Sequence, residues 1–199
     1  MTCRVARAQE WRAGVFGTVA NLSDLGYGNG PYNASWIVGG DVEYDHPFFR
    51  GTLSGDWSPA NKVSGENDWS SAWDLQLAKK LGPFVMLRGG VTYSYTHTGL
   101  YNKSAWRGTA GLGGQTPDHE TWGQIRFAVD HVFHGTDSSN GLEGERYAMT
   151  LLPPVRIGRV YFRASGSYGY YRFHESNAIG GKRIVARVYS ETIGAELRW

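Results

Sequence analysis

The sequence predicts an all-β protein, an antiparallel up-and-down β-barrel of about ten strands that crosses a membrane. Runs of alternating apolar and polar residues follow one another from residue 11 to residue 199, as expected for strands with two different faces. The links between the runs are long, then short, in alternation along the chain, and membrane barrels separate long loops from tight turns in this way. Trp and Tyr recur near the ends of the runs, where barrels carry aromatic belts.

Alternation and turn residues define the predicted strands. In chain order they are residues 11–22, 34–45, 48–57, 69–81, 84–98, 104–115, 120–134, 145–152, 155–173 and 182–199. Prolines mark the short returns, where a missing backbone donor does little harm: Pro47, Pro83, Pro117, Pro153 and Pro154. An even strand number is typical of single-chain bacterial barrels.

Composition agrees with a single barrel domain over residues 9–199. The chain has 199 residues, with 28 Gly, 12 Tyr and 8 Trp, and glycine and aromatic residues are abundant in barrels of this kind. Mean hydropathy is low, which suits strands that alternate lipid-facing and lumen-facing residues. A soluble ligand-binding β-barrel has a similar composition and remains the alternative to a membrane protein.

The first eight residues resemble the end of a signal peptide. Ala6-Arg7-Ala8 has the small-x-small form of a signal-peptidase site, although the apolar segment that should precede it is missing. Two interpretations of residues 1–8 follow: a signal-peptide remnant that precedes a mature chain starting near Gln9, or an ordinary N-terminus. The single cysteine, Cys3, excludes an intramolecular disulfide framework. A net charge of +2 gives no reason to expect a nucleic-acid partner, and no cofactor is expected.

The charged face of each predicted strand is expected to point inward. In residues 48–57, for example, Phe49, Leu53 and Trp57 share one face, while Arg50 and Asp56 share the other. Because a lipid-facing surface must be apolar, the charges are assigned to the lumen.

This assignment predicts a lumen that is crowded with charges of both signs. The predicted network consists of Arg50, Asp56, Asp74, Arg88, Arg107, Arg126, Asp130, Arg146, Arg159 and Arg163, joined by Lys80, Asp41, Glu43 and Asp45. Buried charges must pair or hold water. Small barrels are filled by their side chains, whereas open channels appear at about sixteen strands. We therefore expect a lumen closed by salt bridges, with at most a thin water path.

The last predicted strand departs from simple alternation. Trp199, Leu197, Ala195 and Ile193 share a face, and extending this face upstream also places Glu191 on the lipid side. A β-bulge near Ser190 would restore the pattern, because one extra residue exchanges the two faces.

The aromatic residue that ends this run resembles the C-terminal signal of bacterial outer-membrane barrels. The resemblance, together with the rhythm of the links, implies a small barrel of that superfamily, located in the bacterial outer membrane and surrounded by its lipid. The first hypothesis is a non-enzymatic surface or structural protein, or a very narrow pore. Recognition of an extracellular ligand would fall to the long loops, because loops on rigid scaffolds carry most binding residues: residues 23–33, 58–68 and 135–144.

One short segment suggests an enzyme instead. His174-Glu175-Ser176-Asn177-Ala178 resembles the His-x-Ser-Asn segment of outer-membrane lipid A deacylases. The resemblance implies that Ser176 is a nucleophile and His174 its base, since serine needs a base to remove its proton. The family's glutamate would fall at Val188, so the chain departs from the pattern at the acid.

The strand count also resembles that of the ten-stranded outer-membrane proteases, which use Asp and His at the outer rim. Asp130, His131, His134 and Asp137 supply those residue types, but the paired aspartates of that family are missing. Metal-ligand spacing is not recognisable around His131 and His134, so no metal site is expected.

Overall fold

The computed structural model describes residues 9–23, 35–59, 69–97, 102–119, 121, 123–133, 140–175 and 183–199. Within these ranges, no helix has the length and apolar character needed to cross a lipid bilayer. All regular structure in the described residues is β-strand.

The strands follow the alternating runs of the sequence. Their bounds are β1 Glu10–Ser23, β2 Ser35–Asp45, β3 Phe49–Pro59, β4 Trp69–Lys80, β5 Val85–His97, β6 Asn102–Gln115, β7 Gln124–Val132, β8 Asn140–Leu152, β9 Arg156–Ile157, β10 Val160–Glu175 and β11 Arg183–Arg198. Ten of them are long, and β9 has two residues.

The ten long strands form a closed cylinder. Each pairs antiparallel with the next long strand along the chain, and β11 also pairs with β1. Trp11 and Trp199 complete the seam, since the backbone N–H of each donates to the carbonyl of the other at 3.0 Å. The predicted up-and-down antiparallel barrel is therefore confirmed. We call the end that carries the links 46–48, 81–84, 116–123 and 153–155 the tight-turn end. The opposite end is the long-loop end.

The predicted strand over residues 155–173 is interrupted at its start. Gly158 has a φ of 61°, a left-handed conformation that favours glycine, and it turns the chain between β9 and β10. The backbone of β10 then pairs with β9, β8 and β11. The Pro153-Pro154 return precedes this turn, so β8 and β10 are neighbours in the barrel.

The polar faces of the strands point inward. The side chains of Arg126 and Arg163 are only 15% and 13% exposed, whereas their chain neighbours Phe127 and Phe162 are 49% and 40% exposed. A soluble barrel would show the opposite arrangement, because it buries apolar surface. The exterior is thus apolar and the interior ionic, as the alternation predicts.

Aromatic side chains gather at both ends of this apolar exterior. Near the tight-turn end, the rings of Trp11 and Tyr44 lie 4.7 Å apart. Nearer the long-loop end, the rings of Tyr93 and Trp106 have the same 4.7 Å separation. Such belts occur where a barrel meets the two interfaces of a membrane.

The predicted bulge near Ser190 is wrong. The pairing of β11 with both neighbours runs without interruption through this residue, from Arg187 to Leu197. Glu191 therefore stays on the outer face, where it is exposed. Its cross-strand partners are Val19 and Gly166.

Candidate functional site: the ionic lumen

A dense group of charges fills the lumen at the tight-turn end, and we call it the inner cluster. Its members all lie within a few residues of a strand end: Glu10, Arg12, Glu43, Asp45, Arg50, Lys80, Arg126, Glu196 and Arg198. They converge because alternate residues of every strand face the axis and the tight turns bring those strand ends to one level.

Arg12 lies at the centre of the inner cluster, with only 2% of its side chain exposed. Its guanidinium donates to Glu43 at 2.7 Å and to Glu10 at 2.6 Å. A third carboxylate, that of Asp45, lies 3.6 Å away. Such charge-assisted contacts offset the large cost of removing a guanidinium from water.

One ion pair of the inner cluster crosses the whole lumen. Arg126 of β7 donates to Glu43 of β2 at 3.2 Å, and these strands lie on opposite sides of the ten-strand ring, with four long strands between them in each direction. Arg50 of β3 spans a shorter distance around the ring, donating to Gln115 of β6 at 2.7 Å past two intervening strands. Side chains from different walls of the barrel therefore meet at the tight-turn end.

Three further ion pairs belong to the inner cluster. Asp45 accepts from Arg50 at 3.0 Å and lies 2.5 Å from the Lys80 ammonium. Arg198 pairs with Glu196 at 2.6 Å.

A central cluster lies above the inner cluster and consists of Asp74, Arg88, Asp130 and Arg146. Asp130 is 1% exposed and lies between two cations, with Arg146 at 3.0 Å and Arg88 at 3.5 Å. Arg146 of β8 also approaches Asp74 of β4, at 3.8 Å. Because three strands separate β4 from β8, this contact too spans much of the lumen.

Glycines on neighbouring strands make room for these long side chains. A Cβ at Gly111 would collide with the carbonyl oxygen of Val129 and with Asp130, and one at Gly113 would lie 2.6 Å from the Cδ of Arg88. The run of glycines in β6 thus lets charged side chains lie flat against the wall.

Another ion pair lies on the wall opposite the central cluster. Arg163 of β10 contacts Asp41 of β2 at 2.6 Å, and its guanidinium carbon stands 5.4 Å from the centre of the Phe16 ring. A Cβ at Gly14 would lie 2.6 Å from Asp41, so a glycine makes room for this pair as well.

The structure brings most of the predicted lumen residues into these groups. Arg50 and Arg126 belong to the inner cluster, Asp74, Arg88, Asp130 and Arg146 to the central cluster, and Arg163 pairs with Asp41. Two other members, Asp56 and Arg107, lie nearer the long-loop end. Asp56 accepts the backbone N–H of Ala72 at 3.2 Å, and Arg107 donates to Ser94 at 3.3 Å.

The prediction that Arg159 lies in the lumen is wrong. It lies exposed in the turn that follows β9, outside the lumen, because the turn at Gly158 removes it from the strand on which its inward direction was predicted. Four cluster members were missed by the sequence analysis: Glu10, Arg12, Glu196 and Arg198. The sequence does contain a signal for them. Glu10 and Arg12 alternate with the outward-facing Trp11, and Glu196 and Arg198 alternate with the outward-facing Trp199.

The residues of the two catalytic alternatives are not brought together in the described part of the chain. The backbone of His174 pairs within β10, whereas Ser176 lies outside the described residues, so that hypothesis stays a prediction. Asp130 faces the lumen, but His131 faces outward and contacts Glu145 at 2.8 Å. His134 and Asp137 also lie outside the described residues.

Among the described residues, no group of three or more His, Cys, Asp or Glu side chains is arranged to hold a metal ion. The carboxylates of the lumen are instead held by arginines and a lysine. The arrangement as a whole can hold the strands together and obstruct the passage of solutes.

No protein-family model and no curated protein matches the sequence. Among solved structures, the chain is similar to the outer-membrane protease OmpT from Escherichia coli, with 11% identity, 96% of each chain covered and a TM-score of 0.51. Weaker similarities are to the siderophore receptor PirA from Pseudomonas aeruginosa (13% identity, 99% of this chain and 38% of that one, TM-score 0.38) and to a mutant of the monoaromatic hydrocarbon channel TodX (6% identity, 98% and 91%, TM-score 0.37).

At these identities the similarity concerns the fold alone. The chain has the fold of a bacterial outer-membrane β-barrel. Within that fold, ion pairs between strands occupy the lumen at the tight-turn end.

Proposed function

We propose that this protein is a non-enzymatic barrel of the bacterial outer membrane, with a lumen that its own ion pairs close to solutes. Its role is that of a structural or interaction protein at the cell surface. The observation that carries the proposal is the Arg126–Glu43 pair, which joins opposite walls at 3.2 Å. The apolar exterior and its aromatic belts support contact with outer-membrane lipid.

Conductance across a planar bilayer tests the closed lumen. The purified protein is expected to give no steps, or steps much smaller than those of a wide porin, because charged side chains fill its narrow end. Large, steady steps from the unaltered protein would overturn the proposal. Glu43→Ala combined with Arg126→Ala removes both partners of the crossing pair and is expected to raise the conductance.

Membrane location has its own test. The protein is expected in the outer-membrane fraction and to migrate differently on a detergent gel before and after boiling, as closed barrels resist detergent. Recovery in the aqueous fraction without detergent would favour the soluble alternative.

Recognition is proposed for the long loops predicted over residues 23–33, 58–68 and 135–144. Residues 23, 58–59 and 140–144 belong to strands β1, β3 and β8, and the rest lie outside the described residues. Loops at one end of a rigid barrel can vary without disturbing the lumen. Replacing one loop with a short Gly-Ser link should leave the heat-modifiable mobility unchanged while it alters adhesion of expressing cells. Unaltered adhesion in all three replacements would contradict this assignment.

The non-enzymatic role predicts that the purified protein releases no acyl chains from lipid A. Ser176→Ala is then expected to behave like the unaltered chain. A release that disappears in Ser176→Ala would instead establish the deacylase alternative.

A further inference from the structure

The apolar outer face of the barrel carries a carboxylate without a counter-ion. Glu191 of β11 is exposed on this face and has no hydrogen-bond or ion-pair partner among the described residues. By contrast, Glu145 on the same face pairs with His131 at 2.8 Å. A charge that faces lipid is costly, and ionisable residues in such positions commonly mark functional sites with a specific partner. Glu191 therefore offers a binding group for a cation.

Glu191 lies at the edge of the aromatic belt near the long-loop end. Its neighbour on the same face of β11, toward the long loops, is Tyr189, whose ring lies 4.9 Å from that of Tyr168. In the other direction the next outward residue is Ile193, and the surface there is apolar. Because Trp and Tyr belts mark the level of lipid headgroups, this carboxylate lies where a lipid headgroup meets its hydrocarbon chain.

An apolar groove begins beside Glu191 and crosses β1 and β2. The pairing of β11 with β1, and of β1 with β2, places Glu191, Gly17 and Gly40 on one diagonal of the outer face. The two glycines form the floor of the groove, and a Cβ at Gly17 would meet nothing within 4 Å. Branched apolar side chains stand on either side of this floor: Val15, Val19, Val38 and Ile193.

The dimensions of the groove fit a single alkyl chain. Two diagonal steps of about 7–8 Å each separate Glu191 from Gly40, and the path leads from the aromatic belt toward the middle of the apolar surface. A helix with its side chains is about 10–12 Å wide, which is too wide for a floor made by single missing side chains on two neighbouring strands.

We infer that Glu191 and this groove bind one molecule of a cationic, single-chain amphiphile. Its ammonium group pairs with the Glu191 carboxylate, and its alkyl chain lies over Gly17 and Gly40. The inference rests on the proposed function, because it requires the outer face to lie in a membrane. A second copy of the chain fits less well, since a two-fold axis along the membrane normal would bring two Glu191 carboxylates to the same level, where like charges repel.

Quenching by nitroxide-labelled alkyl chains tests the site. Val38→Cys, in the groove wall, and Leu75→Cys, an exposed outer position on β4, are each labelled with bimane in a Cys3→Ser background and reconstituted in phosphatidylcholine vesicles. The probes are an alkylamine, an alkanol and an alkanoate of equal chain length, each with a nitroxide on the chain. The amine is expected to quench the label at Val38 at about fivefold lower concentration than the alkanol, the upper end of the range for exposed ion pairs. It should have no such advantage at Leu75.

Three variants separate the charge from the groove. Glu191→Gln keeps the shape of the side chain but removes its charge, and it should abolish the advantage of the amine. Glu145→Gln is the matched control, because it removes another outward carboxylate, and it should preserve that advantage. Gly17→Val fills the floor and should weaken quenching at Val38 by all three chains.

The possible failures are distinguishable. An amine that quenches no better than the alkanol, or equally well in Glu191→Gln, would overturn the cationic ligand. An equal advantage of the amine at Leu75 would overturn the groove. A dimer that forms in the vesicles and is lost in Gly17→Val would assign the groove to a second copy and overturn the amphiphile. If no chain quenches either label, the outer face does not contact lipid, and the proposed function itself fails.

Discussion

The two halves of the lumen are lined by the same strands but carry different side chains. Near the tight-turn end, β1 and β11 contribute Arg12, Glu196 and Arg198 to a cluster that crosses the lumen. Six residues farther along each strand, the same faces carry Thr18 and Thr192, which contact each other along the wall. Side-chain length and charge, rather than the backbone, therefore decide where a barrel of this size is closed.

The largest expected effect comes from the centre of the inner cluster. Glu43→Ala leaves Arg12 and Arg126 without their shared carboxylate, and breaking a buried pair in this way costs about 3–5 kcal/mol. Urea unfolding in lipid vesicles, followed by Trp fluorescence, measures the loss. Glu145→Ala is the matched control, because this glutamate forms an exposed ion pair with His131 and its loss should cost less than about 1 kcal/mol. Equal losses in the two variants would show that the ion pairs of the inner cluster stabilise the protein no more than an exposed pair does.

A smaller effect is expected where a glycine admits a charged side chain. Gly111→Ala would push its Cβ against the carbonyl of Val129 and against Asp130, and overpacking of this kind costs about 1–3 kcal/mol. Gly17→Ala on the outer face meets nothing within 4 Å and should be close to neutral. The same urea unfolding compares them, and a neutral Gly111→Ala would mean that the central cluster tolerates displacement.

The smallest effect is expected at the contact between Thr18 of β1 and Thr192 of β11. Thr192→Val keeps the shape of the side chain but removes its hydrogen bond to Thr18, so the free energy of unfolding should fall by about 0.5–1.5 kcal/mol. A loss as large as that of Glu43→Ala would place the stabilising contacts of the lumen in both halves alike.

Much of the fold was predictable because a strand presents alternate residues to opposite faces. The pattern around Phe49 and Arg50 assigned an outer and an inner face, and the structure has the arginine inside and the phenylalanine outside. The long and short links then required an up-and-down order, which the pairing of successive strands confirms.

Two local predictions failed for identifiable reasons. Arg159 was assigned to the lumen by alternation, but alternation holds only within an unbroken strand, and the left-handed Gly158 ends one just before it. The bulge near Ser190 was inferred to avoid an outward-facing Glu191, yet the structure keeps a regular ladder and leaves that carboxylate exposed at the surface.

The sequence could not predict which residues pair with each other across the lumen. Alternation indicates that Arg126 and Glu43 both point inward, but not that β7 and β2 face each other at matching heights. That match depends on strand number and stagger together, and both are fixed only when the cylinder closes.

The crossing pair also bears on how the chain enters a bilayer. Glu43 and Arg126 are 83 residues apart in sequence. Although Glu43 also pairs with Arg12 on the adjacent strand β1, Arg126 meets this carboxylate only when β7 and β2 face each other across the cylinder. A partial sheet that enters hydrocarbon hairpin by hairpin would carry uncompensated charge, at a cost of several kcal/mol per ion. Insertion and closure are therefore coupled, and a sheet assembled at the membrane surface would enter together with its neutralised interior.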